Sequence, residues 1–135
     1  MIVEDKHQRI GIKELIHDKD LKYILYGDPD RLEKNRVELD KILDFLRDEG
    51  LLKKMLYLVN FKGYVGFVHP IIKMKMEDER KANGLVIFAD FKGVLRGFLK
   101  NGEKTISFII LDENKDIQTI FEVADVADIM NALHP

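Results

Sequence analysis

The residues best placed to do chemistry are Asp28-Pro29-Asp30-Arg31, with Lys34 one helical turn further on. Asp28 and Asp30 stand two residues apart, straight after an apolar run. Clustered Arg31 and Lys34 at a helix start can hold an anion. The plainer use of the same residues is helix capping by Asp28 or Asp30. Nothing nearby supplies an evident general base. The chain has no cysteine, which excludes a disulfide, a thiolate zinc site and a cysteine nucleophile.

Other polar groups read more simply. His7, His17, His69 and His134 are scattered, with no pair at the i, i+4 spacing of a helical metal site, so no metal is expected. Asp112, Glu113, Asn114 and Asp116 lack the glycine and the bidentate glutamate of an EF-hand loop and read as a polar hairpin turn. Lys62-Gly63-Tyr64-Val65-Gly66-Phe67 has no Gly-Lys-Ser/Thr and is no phosphate cradle. Its Tyr64 and Phe67 either mark a contact surface or anchor the loop to a sheet. Lys73, Lys75, Arg80 and Lys81 alternate with Glu77, Asp78 and Glu79, as on a solvated helix face. Met74 and Met76, with Ile71 and Ile72, form either an adaptable apolar surface or, as their spacing favours, part of the core.

The elements that must position these residues follow from patterning. The chain has 135 residues, 46% of them hydrophobic, enough for a globular core and too few for a second compact unit. A single domain over residues 1–135 is expected. Lys plus Arg is 22 and Asp plus Glu is 24, a net charge of −2, which argues against nucleic-acid binding. Apolar stretches such as Phe108–Leu111 fall far short of the ~20 residues of a membrane span. The start, Met-Ile-Val-Glu-Asp-Lys-His, has no basic stretch followed by an apolar one. A cytoplasmic chain is therefore the expectation; a periplasmic one would need a signal peptide removed ahead of Met1.

Strand-length apolar runs alternate with longer amphipathic ones, which predicts an α/β architecture. Leu21–Tyr26 reads as a buried strand stopped by Gly27-Asp28-Pro29-Asp30. A helix follows from about Arg31 to Glu49, its face set by Leu39, Ile42, Leu43 and Leu46 and extended by Leu32, with Gly50 at its C′ position. Met55–Val59 and Leu85–Ala89 read as further strands, separated by a helix from Pro70 to about Asn83. Val94–Leu99 leans to helix. Ile106–Leu111 and Ile117–Phe121, joined by five polar residues, predict an antiparallel hairpin. A last helix begins near Asp125, with Val126, Ile129, Met130 and Leu133 on one face.

A βαβ unit followed by a β-hairpin and a terminal helix resembles the thioredoxin-like superfamily. Ile106-Ser-Phe-Ile-Ile-Leu-Asp-Glu-Asn-Lys-Asp-Ile117 resembles the strand–turn–strand signature of its peroxiredoxin-like branch, and Glu4-Asp5-Lys6 with Ile12-Lys-Glu-Leu15 resembles the lead-in to the first central strand. The strand Leu85–Ala89 resembles the insertion of peroxiredoxin-like and TlpA-like members. Lys22-Tyr-Ile-Leu-Tyr-Gly-Asp-Pro-Asp-Arg-Leu-Glu-Lys-Asn35, with the arrangement through Leu133, is similar to the YtfJ-like group, which lacks the redox pair. The resemblance implies a mixed sheet of roughly five strands with helices on both faces.

The departures from that pattern matter most. In redox members a Cys-x-x-Cys, or one peroxidatic cysteine, sits where the first strand meets its helix, and the helix N-terminus activates the thiol. Arg31 and Lys34 stand at the matching positions, and Lys104, ahead of Thr105, stands where those members place a cis-proline. A chain with no sulfur nucleophile cannot exchange disulfides or reduce peroxide by that route, so no turnover is expected with insulin or peroxide and no cofactor is implied. The expected function is non-catalytic binding of a protein or peptide, in a groove lined by Asp28, Pro29, Asp30, Arg31, Lys34, Lys104 and Thr105. Two alternatives stand beside it. One is a hydrolase or anion-binding enzyme built on Asp28, Asp30, Arg31 and Lys34; Asp28-Pro29-Asp30 also resembles the haloacid-dehalogenase phosphatases, although Leu32 stands where that family has Thr or Val. The other is a homodimer through an edge strand Leu85–Ala89 or the Met-bearing helix.

Overall fold

The computed structural model describes residues 2–5, 8–11, 20–61, 74, 77–78, 81, 86–90, 95 and 106–134. Seven strands form one mixed sheet: β1 (Ile2–Asp5), β2 (Gln8–Gly11), β3 (Tyr23–Gly27), β4 (Met55–Asn60), β5 (Val86–Asp90), β6 (Ile106–Leu111) and β7 (Ile117–Val123). Their spatial order is β2-β1-β5-β4-β3-β6-β7. β3, β4 and β5 run parallel, whereas β6 pairs antiparallel with β3 and with β7. The five strands expected from the apolar runs are thus contiguous, and the C-terminal hairpin is antiparallel as its short turn requires. The pair β1–β2 adds two strands beyond those expected.

This pair overturns one expectation. β1 pairs antiparallel with β5, so the described strand Val86–Asp90 lies inside the sheet and offers no free edge. The edges are β2 and β7. Residues 12–19, 62–73 and 101–105 lie outside the described residues, and so do most of the expected helices over 70–83 and 94–99. Met74, Glu77, Asp78, Lys81 and Leu95 within them are helical.

The helix expected from Arg31 to Glu49 is two helices, α1 (Pro29–Lys34) and α2 (Arg36–Asp48). Pro29 occupies the first turn, where its missing N–H costs nothing. The break falls at Asn35, whose backbone sits at φ −107, ψ 26. Its side-chain amide donates to the Arg31 carbonyl at 2.8 Å, an example of an asparagine side chain competing with the helical ladder. The apolar spacing runs on across the break, so Leu32, Leu39, Ile42 and Leu46 are all buried. α2 ends as expected at Gly50, in the left-handed region at φ 74. Gly50 donates to the Arg47 carbonyl and Leu51 to the Leu46 carbonyl, the paired bonds of a Schellman motif.

Each sheet face buries its own layer. On one, Leu25, Met55, Tyr57, Val59, Ile106 and Phe108 meet Leu32, Leu39, Ile42 and Leu46, together with Ile129 and Ala132 of α3 (Val126–Leu133). On the other, Ile24, Tyr26, Leu56, Leu58, Phe88, Ile109 and Leu111 pack with Leu21 and the helical residue Leu95. The alternation of the two sets along β3, β4 and β6 is the two-residue period of a sheet covered on both sides. Met74, expected in the core, is 59% exposed.

Candidate functional site

Ligands of open α/β sheets bind beyond the carboxyl ends of the parallel strands. Here those ends are Gly27, Asn60 and Asp90, and the sequence-predicted residues Asp28 to Lys34 begin at the first of them. Asp28 takes the N-cap position of α1 with an extended backbone, and its carbonyl accepts from the Arg31 and Leu32 N–H groups. Its side chain makes no capping bond. Asp28 Oδ1 instead accepts a hydrogen bond from Asn60 Nδ2 at 2.8 Å. The capping expected of its carboxylate is replaced by a tie across to the end of β4.

Behind this tie lies a buried polar pair. The Tyr26 hydroxyl donates to Asp90 Oδ2 at 3.0 Å, and the Leu95 N–H donates to the same oxygen at 3.1 Å. Both Tyr26 and Asp90 are fully buried. Register explains the reach. Tyr26 pairs with Leu58 of β4, Leu58 with Phe88 of β5, and Asn60 with Asp90. Tyr26, Asn60 and Asp90 therefore share one sheet face, and the tyrosine ring crosses β4 to meet the carboxyl group at the end of β5. Ser107 pairs with Tyr26 on the other side of β3. It is buried, and its Oγ has no hydrogen-bond partner among the described residues.

The other predicted residues lie on α1. Arg31 is half-buried, and Asp30 and Lys34 are exposed. Among the described residues, no ion pair joins Asp30, Arg31 and Lys34 to one another; the ion pairs Arg36–Asp40, Lys41–Glu38 and Arg47–Asp44 belong to α2. The turn from β3 into α1 is close-packed beneath these side chains. A Cβ on Gly27 would stand 3.0 Å from Leu32 Cδ2, so glycine permits this approach of helix to strand. Lys104 and Thr105 lie outside the described residues. Sequence reasoning missed Asn60, Asp90, Tyr26 and Ser107. A signal for the first two existed: a polar residue closes each of the apolar strands Met55–Asn60 and Val86–Asp90.

The acidic run Asp112–Asp116 is a hairpin turn, as its composition implies. Asp112 Oδ1 accepts from the Asn114 and Asp116 N–H groups at 2.8 and 3.0 Å, which commits that carboxylate to the hairpin. Among the described residues, no three His, Cys, Asp or Glu side chains converge on a metal position. No described helix is long and apolar enough to cross a membrane.

No protein-family model matches the sequence, and no curated protein matches it. Solved structures do. The exposed lipoprotein thioredoxin of Streptococcus pneumoniae superposes with a TM-score of 0.63 at 14% identity, covering 98% of this chain and 96% of that one. A thioredoxin-like protein from Aeropyrum pernix gives a TM-score of 0.59 at 7% identity, over 98% of this chain and 87% of that one. This chain has the thioredoxin fold. A thiol peroxidase from Chromobacterium violaceum, at a TM-score of 0.53 and 11% identity, covers 98% and 80%, which extends the likeness to the peroxiredoxin-like side of the fold. The narrower likeness to the YtfJ-like group is untouched by these superpositions. The thioredoxin fold is present here without a cysteine, so the chain holds no thiol redox site.

Proposed function

We propose that this chain is a redox-inactive thioredoxin-fold protein that binds an extended segment of another polypeptide at the turn between β3 and α1. The observation that carries this reading is the state of Asp30, Arg31 and Lys34. They stand on the first helix beside β3, at the carboxyl end of the parallel strands, with no ion pair closing them against each other. Side chains left over from a lost site, with nothing to bind, would be expected to neutralise one another. Arg31 and Lys34, three residues apart on α1, put two cations on one helix face, which favours an acidic segment there although Asp28, Asp30 and Glu33 share the turn. Below them, the Asp28–Asn60 and Tyr26–Asp90 bonds tie the ends of β3, β4 and β5 together, so the binding turn rests on a fixed base.

The test is a fluorescence-anisotropy titration with labelled decapeptides of extended, acidic sequence, and with neutral and basic versions as controls. The acidic peptides should bind with Kd of about 10–100 µM and weaken as salt rises. Arg31→Glu combined with Lys34→Glu should weaken them about tenfold or more. Equal affinity for acidic and basic peptides, or none for any, would remove the proposal.

A further inference from the structure

Given peptide binding at the turn between β3 and α1, on which this rests, we propose that Asn60 sets the charge preference of that turn. It does so by holding the Asp28 carboxylate off the first turn of α1. Three acids share the turn with Arg31 and Lys34: Asp28, Asp30 and Glu33. Glu33 follows Arg31 by two residues, about 200° around the helix and so on its far side. Asp30 is exposed and, among the described residues, forms no ion pair with Arg31 or Lys34. Asp28 is the acid whose charge the fold directs.

Asp28 stands at the N-cap of α1 with an extended backbone, φ −85 and ψ 148. From that conformation an aspartate ordinarily accepts a hydrogen bond from the second or third helical N–H, here Asp30 or Arg31. Its side chain makes no such bond. Asn60 supplies the alternative. β3 and β4 pair in parallel with Gly27 opposite Val59, so the next residue of each, Asp28 and Asn60, stand side by side where the strands end. Asn60 Nδ2 donates to Asp28 Oδ1 at 2.8 Å in a partly buried setting, where a hydrogen bond to a carboxylate is stronger than in water.

Asn60 is itself held from its other side. It pairs with Asp90 in register, and the Phe61 N–H donates to the Asp90 carbonyl at 3.1 Å. An amide suits the position, because it donates to a carboxylate without adding a charge. Aspartate there would repel Asp28, and lysine would neutralise it and add a third cation to the turn. With Asn60 in place, the Asp28 charge sits at the end of β4, and the first helix presents Arg31 and Lys34. Without the amide, the cap position of α1 draws the carboxylate back beside Arg31.

Asn60→Leu and Asp28→Asn, singly and combined in the full chain, test this against acidic and neutral decapeptides. The quantity read is the ratio of the two Kd values. Asn60→Leu should lower the preference for the acidic peptide about threefold to tenfold. In the Asp28→Asn background, where that side chain carries no charge, the same change should move the ratio less than about twofold. Without peptide, the Asp30 or Arg31 amide proton of Asn60→Leu should shift downfield as the carboxylate arrives at α1. Circular dichroism checks the fold of each variant, and Asn60→Ala repeats the test without an added apolar side chain. An unsubstituted chain with no preference for the acidic peptide overturns peptide binding and this proposal together. A preference that survives both Asn60 substitutions overturns this proposal alone. So does an equal loss of affinity for both peptides, the mark of damage to the end of β4.

Discussion

At the scale of single residues, buried polar side chains lie beneath the candidate site and charged ones stand on α1 above them. Tyr26 and Asp90 are fully buried and bonded to each other, as buried polar groups must be. Replacing Tyr26 by Phe keeps the ring and its packing but removes one donor from Asp90 Oδ2. The variant should lose about 1–3 kcal/mol in urea denaturation, with the slope m unchanged. Neither residue is legible as part of a site. Tyr26 reads as one more aromatic in Leu21–Tyr26, and Asp90 as the polar stop after Phe88-Ala89; only register brings them onto one face. Asp28, Asp30, Arg31 and Lys34 are legible, because a charged turn directly after an apolar strand is visible in one dimension. What the sequence could not show is that the Asp28 carboxylate turns away from the helix N-terminus toward Asn60, 32 residues further along.

At the scale of elements, strands are legible where an apolar run ends in turn residues. Met55–Asn60 and Ile106–Leu111 match their expected spans to within a residue. β1 and β2 escape such reading because Ile-Val-Glu-Asp and Gln-Arg-Ile-Gly are short and polar, and their strand character shows only in pairing with each other and with β5. The break at Asn35 is invisible to periodicity, since Leu32 and Leu39 both reach the core across it. Caps are more dependable. Asp125, expected near the start of the last helix, is its N-cap: its side chain accepts from the Asp128 N–H at 3.0 Å, while Asp128 Oδ2 accepts from the Ala124 N–H at 2.8 Å. This reciprocal arrangement joins β7 to α3. Asp125→Ala should cost about 1 kcal/mol in thermal or urea unfolding, and Asp125→Ser appreciably less, because serine can still cap.

At the scale of the whole molecule, strand order decides more than any motif. The antiparallel β6–β7 hairpin beside the parallel β3–β4–β5 set distinguishes this sheet from a doubly wound one. That hairpin is legible from a five-residue polar linker, too short for a crossover. The fold is shared with a thioredoxin and a thiol peroxidase, while the chain has no sulfur nucleophile. The fold stands in this chain without a thiol, and the turn between β3 and α1 presents charged side chains instead. The central claim is that this turn receives a polypeptide, and amide chemical-shift mapping tests it most directly. On titration of 15N-labelled protein with an acidic decapeptide, the account predicts saturable shifts concentrated at residues 27–35 and 60–61, abolished by Arg31→Glu with Lys34→Glu. Shifts confined to β7 and α3, or none at saturating peptide, would contradict it.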